Sequence, residues 1–267
     1  MYTKDIKLGG DETEAVLHAF ISSDSPKNAE KRPAVIVFPG GAYAGYAWHE
    51  GEPVAKKFLA EKFNAFILDY TVMEKALFPR PLLDASLAII HVRTHAEEYN
   101  IDPDRIFVLG FSAGGHLAAS IGTLWHKDCA KPYPDMPEGL NKPNGMILGY
   151  PAIIPYNHSV EGCFERIWGT INPTPEYMAE YGILENVSEK TPNAYIWHTA
   201  NDESVPVENS LMLADRMTDF KVRFRMHIYE NGRHGLGLAD KEGAGDYDHK
   251  PVTGWIDEAI YWTKHFQ

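Results

Sequence analysis

The sequence predicts an α/β fold, a mostly parallel central β-sheet flanked by helices, built as one domain over residues 1–267. Short apolar runs recur along the chain between longer stretches of helical period. The runs are apolar on successive residues, the pattern of strands that helices cover on both faces. A third sign is a glycine-flanked serine turn set between one such run and the helical stretch that follows it.

Residues 1–31 read as an initial β segment, with antiparallel pairing open to it, and Ser22 to Lys31 as a polar turn. The central strands are then expected at Ala34 to Phe38, Ala65 to Asp69, Ile106 to Leu109, Met146 to Leu148, Tyr195 to His198 and Val222 to Tyr229. Helical period is clearest from Leu82 to Tyr99, where Leu83, Leu87, Ile90 and Val92 alternate with polar residues. It returns in Gly114 to Leu124, Val207 to Met217 and Thr253 to His265. Residues 151–192 break the alternation. There Pro155, Pro173 and Pro175 are interleaved with Tyr156, Phe164, Trp168, Tyr177 and Tyr181, which reads as a cap or lid insertion rather than an ordinary long connection.

Composition narrows the function. A hydrophobic fraction of 44% with 23% charged residues is ordinary for a globular chain with a buried sheet. A net charge of −12 argues against nucleic acid, whose phosphates need clustered Lys and Arg. The two cysteines, Cys129 and Cys163, read as plain thiols rather than a disulfide framework or metal site. The N-terminus shows no apolar core of a signal peptide and no stretch is long enough to span a bilayer, so no membrane is expected. The chain as written is expected in the cytoplasm, or outside the cell if a leader has been removed.

The strongest chemical signal is Gly110-Phe111-Ser112-Ala113-Gly114-Gly115, at a strand-to-helix junction. A serine on so tight a turn takes strained backbone angles, and its neighbours two residues away must be small. Ser112 is therefore the candidate nucleophile, and the N–H of Ala113 can point at a developing oxyanion. Phe38-Pro39-Gly40-Gly41-Ala42-Tyr43 follows the first central strand, and the N–H groups of Gly41 and Ala42 are the other oxyanion donors. A serine hydroxyl needs a histidine to take its proton and a carboxylate to orient that histidine. His234, on a glycine-flanked loop after the last strand, is the candidate base, and Asp202, after the preceding strand, the candidate acid, with Glu203 its neighbour as the alternative.

The remaining candidates carry plainer readings. His91 and His95 lie four apart on a helix but lack an evident third ligand, so no metal is expected. His116, one turn after Ser112, is expected to pack beneath the turn. Tyr43 and Trp48 are candidate substrate contacts, as aromatic faces for a sugar or acyl chain, with Tyr46 beside them. Glu50-Gly51-Glu52 reads as a solvated helix start.

On these motifs, together with Phe78-Pro79-Arg80-Pro81-Leu82-Leu83-Asp84, Gly149-Tyr150-Pro151, Asp202 to Pro206 and His234-Gly235-Leu236-Gly237, the chain resembles esterases of the α/β-hydrolase superfamily. It is most similar to bacterial carbohydrate esterases related to acetyl xylan esterases. Pro39 departs from the hormone-sensitive-lipase-like branch, which has histidine there. The resemblance implies the α/β-hydrolase fold with a small cap, a Ser112, Asp202, His234 triad, and no cofactor. It further implies an acyl-enzyme route on a small-molecule or oligosaccharide ester, xylan-type acetyl esters among them. A broad carboxylesterase or arylformamidase shares the same triad. A prolyl-type peptidase is disfavoured for want of a large accessory domain, and a non-catalytic ligand-binding protein by the intact triad.

Overall fold

Among the described residues, eight strands form one sheet in the order β1-β2-β4-β3-β5-β6-β7-β8. The computed structural model describes residues 1–9, 13–22, 30–155, 160–245 and 250–266. Strands β1 (Tyr2–Lys7) and β2 (Val16–Ile21) form an antiparallel hairpin that pairs antiparallel to β4 (Asn64–Asp69). From β4 onward the pairing is parallel through β3 (Arg32–Phe38), β5 (Ile101–Phe111), β6 (Gly145–Gly149), β7 (Ala194–Thr199) and β8 (Phe224–Tyr229). The expected initial β segment is thus the antiparallel edge, while most of the polar turn at 22–31 lies outside the described residues.

Alternating residues of each central strand feed two separate cores, because successive side chains point to opposite faces. Ala34, Ile36, Phe38, Val108 and Ile196 meet Leu82 and Ile89 of α2 (Arg80–Thr94), Leu117 and Ile121 of α3 (Ser112–Leu124) and Leu213 of α7 (Glu208–Asp219). Val35, Val37, Phe107, Leu109 and Trp197 meet Val54 and Phe58 of α1 (Glu52–Ala60) and Trp255 and Ile260 of α10 (Trp255–Lys264). Each of the buried Val, Leu, Ile and Phe side chains contributes roughly 1.5–3 kcal/mol from removal of its surface from water. Both faces are covered, hence the unbroken apolar runs.

β8 departs from that expectation. Phe224 and Ile228 are exposed, β8 being the last strand of the sheet. Val222 falls in the turn before the strand, its N–H bonded to the Met217 carbonyl.

Residues 151–192, expected as a cap, contain α4 (Glu161–Trp168), α5 (Pro175–Tyr181) and α6 (Ile183–Asn186), with Tyr156 outside the described residues. Phe164, Ile167, Met178 and Ile183 pack into the α2/α3 core. Two further short helices, α8 (Lys241–Ala244) and α9 (Lys250–Thr253), precede α10. Among the described residues no helix is long and apolar enough to cross a membrane. Cys129 and Cys163 are free thiols.

Candidate active site

Strand β5 runs into helix α3 with no linker, so one residue must turn the chain, and that residue is Ser112 at φ 51°. A left-handed conformation costs an L-residue roughly 1–2 kcal/mol, which the surrounding packing must hold in place. The two flanking glycines make the turn possible. A Cβ at Gly110 would lie 2.0 Å from the Gly114 carbonyl oxygen, and one at Gly114 2.0 Å from that of Phe38. Both obstacles are backbone and cannot rotate away. Gly114→Ala is therefore expected to cost about 3 kcal/mol or more, by overpacking against β3. Thermal denaturation should show a fall of roughly 6 °C or more, and a variant melting within about 1 °C of the parent would contradict this packing.

The three side chains expected to act together meet. The Ser112 hydroxyl lies 2.8 Å from His234 Nε2, and His234 Nδ1 lies 2.7 Å from Asp202 Oδ2. An ionised carboxylate only accepts, so Nδ1 carries the proton and Nε2 is left to accept from the Ser112 hydroxyl. The other carboxylate oxygen, Oδ1, accepts the N–H groups of Ser204 and Val205, each at 2.9 Å. Burial opposes the charge of Asp202, but the His198 ring 3.6 Å away and the hydrogen bonds from His234 and the Val205 N–H outweigh it and hold its pKa well below the usual carboxylate range. His198 is itself fixed by the Ser210 hydroxyl at 2.7 Å and the Val205 carbonyl at 2.8 Å. Glu203, the alternative acid, points to solvent and lines a cavity of about 800 Å³ beside His234, with Asn201, Ser204, Tyr229 and Arg233.

The turn after β3 approaches Ser112 directly, for a Cβ at Gly40 would come 3.0 Å from that of Ser112. Gly41 sits at φ 132° and closes the turn by accepting the Ala44 N–H at 2.9 Å. Ala42 and Tyr43 follow at φ 53° and 55°. Ala113 lies in the first turn of α3, where an N–H has no acceptor within the helix. The Gly41, Ala42 and Ala113 segments are thus gathered around one serine.

Two expectations need correction. Tyr43 is wholly buried, among Tyr70, Phe78 and His116, with its hydroxyl 2.9 Å from His116 Nδ1. Packed on all sides, the ring offers no face to a substrate. His116 packs beneath the turn as expected, and burial lowers its pKa to about 3. Glu50 is the second correction: it is not solvated but 1% exposed, in the single helical turn Trp48–Glu50. Its Oε2 accepts the Gly40 N–H at 2.7 Å and its Oε1 the Tyr150 hydroxyl at 2.6 Å. Trp48 is 69% exposed and meets Tyr46 edge-on at 5.9 Å. His91 and His95 stack on each other with ring centroids 4.0 Å apart on the outer cover.

Comparison with known proteins agrees with this architecture. A model described as BD-FAE matches residues 24–139, and a model of the prolyl oligopeptidase family matches residues 158–261. The crystal structure of an acetyl ester-xyloside bifunctional hydrolase from Caldicellulosiruptor lactoaceticus is 36% identical with a TM-score of 0.83, covering 98% of this chain and 95% of that one. An α/β hydrolase enzyme from a deep-sea metagenome library is 32% identical with a TM-score of 0.79, covering 99% and 97%. Endo-1,4-beta-xylanase B of Butyrivibrio fibrisolvens is 35% identical over 85% of this chain, which spans only 35% of that protein's length. With a single parallel-type sheet of this strand order and near-complete coverage by such relatives, the chain belongs to the α/β-hydrolase family.

Proposed function

We propose that this chain is a serine esterase that removes short acyl groups, acetyl above all, from xylan-type oligosaccharides. The observation that carries the reading is the continuous hydrogen-bond chain from the Ser112 hydroxyl through His234 to Asp202. Ser112 Oγ attacks the ester carbonyl carbon as its proton passes to His234 Nε2, and the carbonyl oxygen becomes an oxyanion facing the N–H groups of Gly41, Ala42 and Ala113. Collapse of that intermediate breaks the ester C–O bond, and His234 returns the proton to the departing alcohol. Water then attacks the acyl-serine by the same sequence, releasing the acid and restoring the hydroxyl. Asp202 keeps Nδ1 protonated and stabilises the imidazolium at each step.

The substrate class rests on two supports. The relative 36% identical over nearly the whole chain acts on acetyl esters and xylosides by its name, and the xylanase match points to the same polysaccharide. The cavity beside His234 is lined by Asn201, Glu203, Ser204 and Arg233, side chains suited to a hydroxyl-rich alcohol. Exposed Trp48 provides an aromatic face for a sugar ring, and residues 151–192 act as a small cap, Arg166 reaching the Ala42 carbonyl at 3.4 Å.

Purified protein should release acetate from acetylated xylo-oligosaccharides, with p-nitrophenyl acetate as the activity control. Cleavage of the nitrophenyl ester alone would retain an esterase and remove the xylan substrate.

A further inference from the structure

Resting on the serine-esterase reading, we infer that Glu50 is a positioning residue that ties the oxyanion turn to the His234 loop and places a second carboxyl group near the imidazole. A carboxylate buried this fully costs several kcal/mol unless donors surround it. Glu50 has two, and they come from different parts of the chain: the Gly40 N–H from the turn that precedes Gly41, and the Tyr150 hydroxyl from the end of β6. Because Tyr150 donates to Glu50, its oxygen is free to accept, and it takes the Gly237 N–H at 2.8 Å. Gly237 lies three residues after His234. One carboxyl therefore reaches both halves of the site, through one direct bond and one relay.

Tyr150 is itself held at φ 38°, a conformation an L-residue adopts only under constraint, and its ring meets the His234 imidazole edge-on at 4.9 Å. The residue before Glu50 makes a parallel link, with His49 Nε2 donating to the Gly235 carbonyl at 2.9 Å. The charged and titratable groups around the imidazole are Asp202, Glu50, His49, Tyr150 and Arg233; those around Glu50 are His49, Tyr70, Tyr150 and His234. Burial raises the pKa of Glu50, against the bonds from Tyr150 and Gly40 and the charges of His49 and His234. Ionised, it favours the imidazolium that forms when Ser112 gives up its proton. No step of the acyl transfer passes through Glu50.

Glu50→Gln keeps the volume and one acceptor oxygen but removes the charge; Tyr150→Phe keeps the charge and breaks the relay to Gly237. Both are compared with the parent in pH profiles of kcat and KM on p-nitrophenyl acetate and in the rate of Ser112 labelling by a fluorophosphonate. Glu50→Gln should lower kcat about 10- to 100-fold with KM changed less than about twofold. Where Glu50 is ionised, its replacement removes a partner of the developing positive charge, so the acid limb of kcat/KM should move about 0.5–1 unit downward. Tyr150→Phe should lower kcat about 10-fold and leave the limb in place. Parent-like kcat in Glu50→Gln, or a lowered melting temperature with an unmoved acid limb, would overturn the inference by reducing Glu50 to a structural group. If Glu50→Gln does not fold, Tyr150→Phe with parent-like kcat and labelling rate overturns it. The labelling needs no ester substrate. A parent that labels without cleaving the ester would fail the esterase reading, while labelling rates of the variants still decide the role of Glu50.

Discussion

Alanine in place of Ser112 is expected to lower kcat on p-nitrophenyl acetate by about 10⁴- to 10⁶-fold while the protein folds as before. The nucleophilic oxygen is the only atom removed, and the backbone strain at φ 51° is one that alanine bears as serine does. The glycine contacts that shape the turn are untouched, so Tm should stay within about 2 °C of the parent. KM should change little, since the proposed oxyanion donors and the cavity beside His234 remain. Steady-state kinetics beside a thermal melt separate the two effects. A folded variant retaining a tenth of parental turnover would remove Ser112 from the chemistry.

Asp202→Asn is expected to cost about 10⁴-fold in kcat, for a different reason. Asparagine can keep an oxygen on the Ser204 and Val205 N–H groups, which leaves its amide NH₂ facing His234 Nδ1. That amide can only donate, so Nδ1 must accept and the ring proton moves to Nε2, where it blocks transfer from Ser112. The geometry survives and the tautomer is wrong. Stability should fall as well. The folded pKa of Asp202 is depressed, so its ionised form contributes stability that is fully present above the unfolded value near 3.9. That contribution is lost as pH falls through the folded value, which lies lower. The Tm gap between parent and Asp202→Asn should therefore be open at pH 7 and narrow below about pH 4. A gap of the same size at both would show that Asp202 gains nothing from being charged in the fold.

What the sequence made legible is what depends on near neighbours. The apolar runs at Ala34 to Phe38 and Ile106 to Leu109 announce strands covered on both faces, because alternate residues of one strand enter two cores. The Ser112 turn is local only in part: the clash that requires Gly110 is with the nearby Gly114 carbonyl, whereas the one that requires Gly114 is with the Phe38 carbonyl of β3, far away in the sequence. Glu50 was not legible. Glu50-Gly51-Glu52-Pro53 has the look of an exposed helix start, and Glu52 is indeed exposed. What buries Glu50 is the hydroxyl of Tyr150, 100 residues away, and no local period reports it. Tyr43 was misjudged for a similar reason, as its partner His116 is 73 residues distant. The choice between Asp202 and Glu203 also turned on space, with one carboxyl buried against His198 and His234 and its neighbour in solvent. β8 begins at Phe224, two residues later than the apolar run suggests, and the exposure of Phe224 and Ile228 follows from the strand lying last in the sheet order.

In the proposed reading, His234 and the tight turn that carries Ser112 make that serine an activated nucleophile. The most direct test of that reading is reaction of the native protein with a fluorophosphonate, followed by peptide mass spectrometry. A single stoichiometric phosphonyl adduct on Ser112 is expected, slowed by orders of magnitude in His234→Ala and absent in Ser112→Ala. An unmodified Ser112, or an adduct carried by another residue, would contradict it.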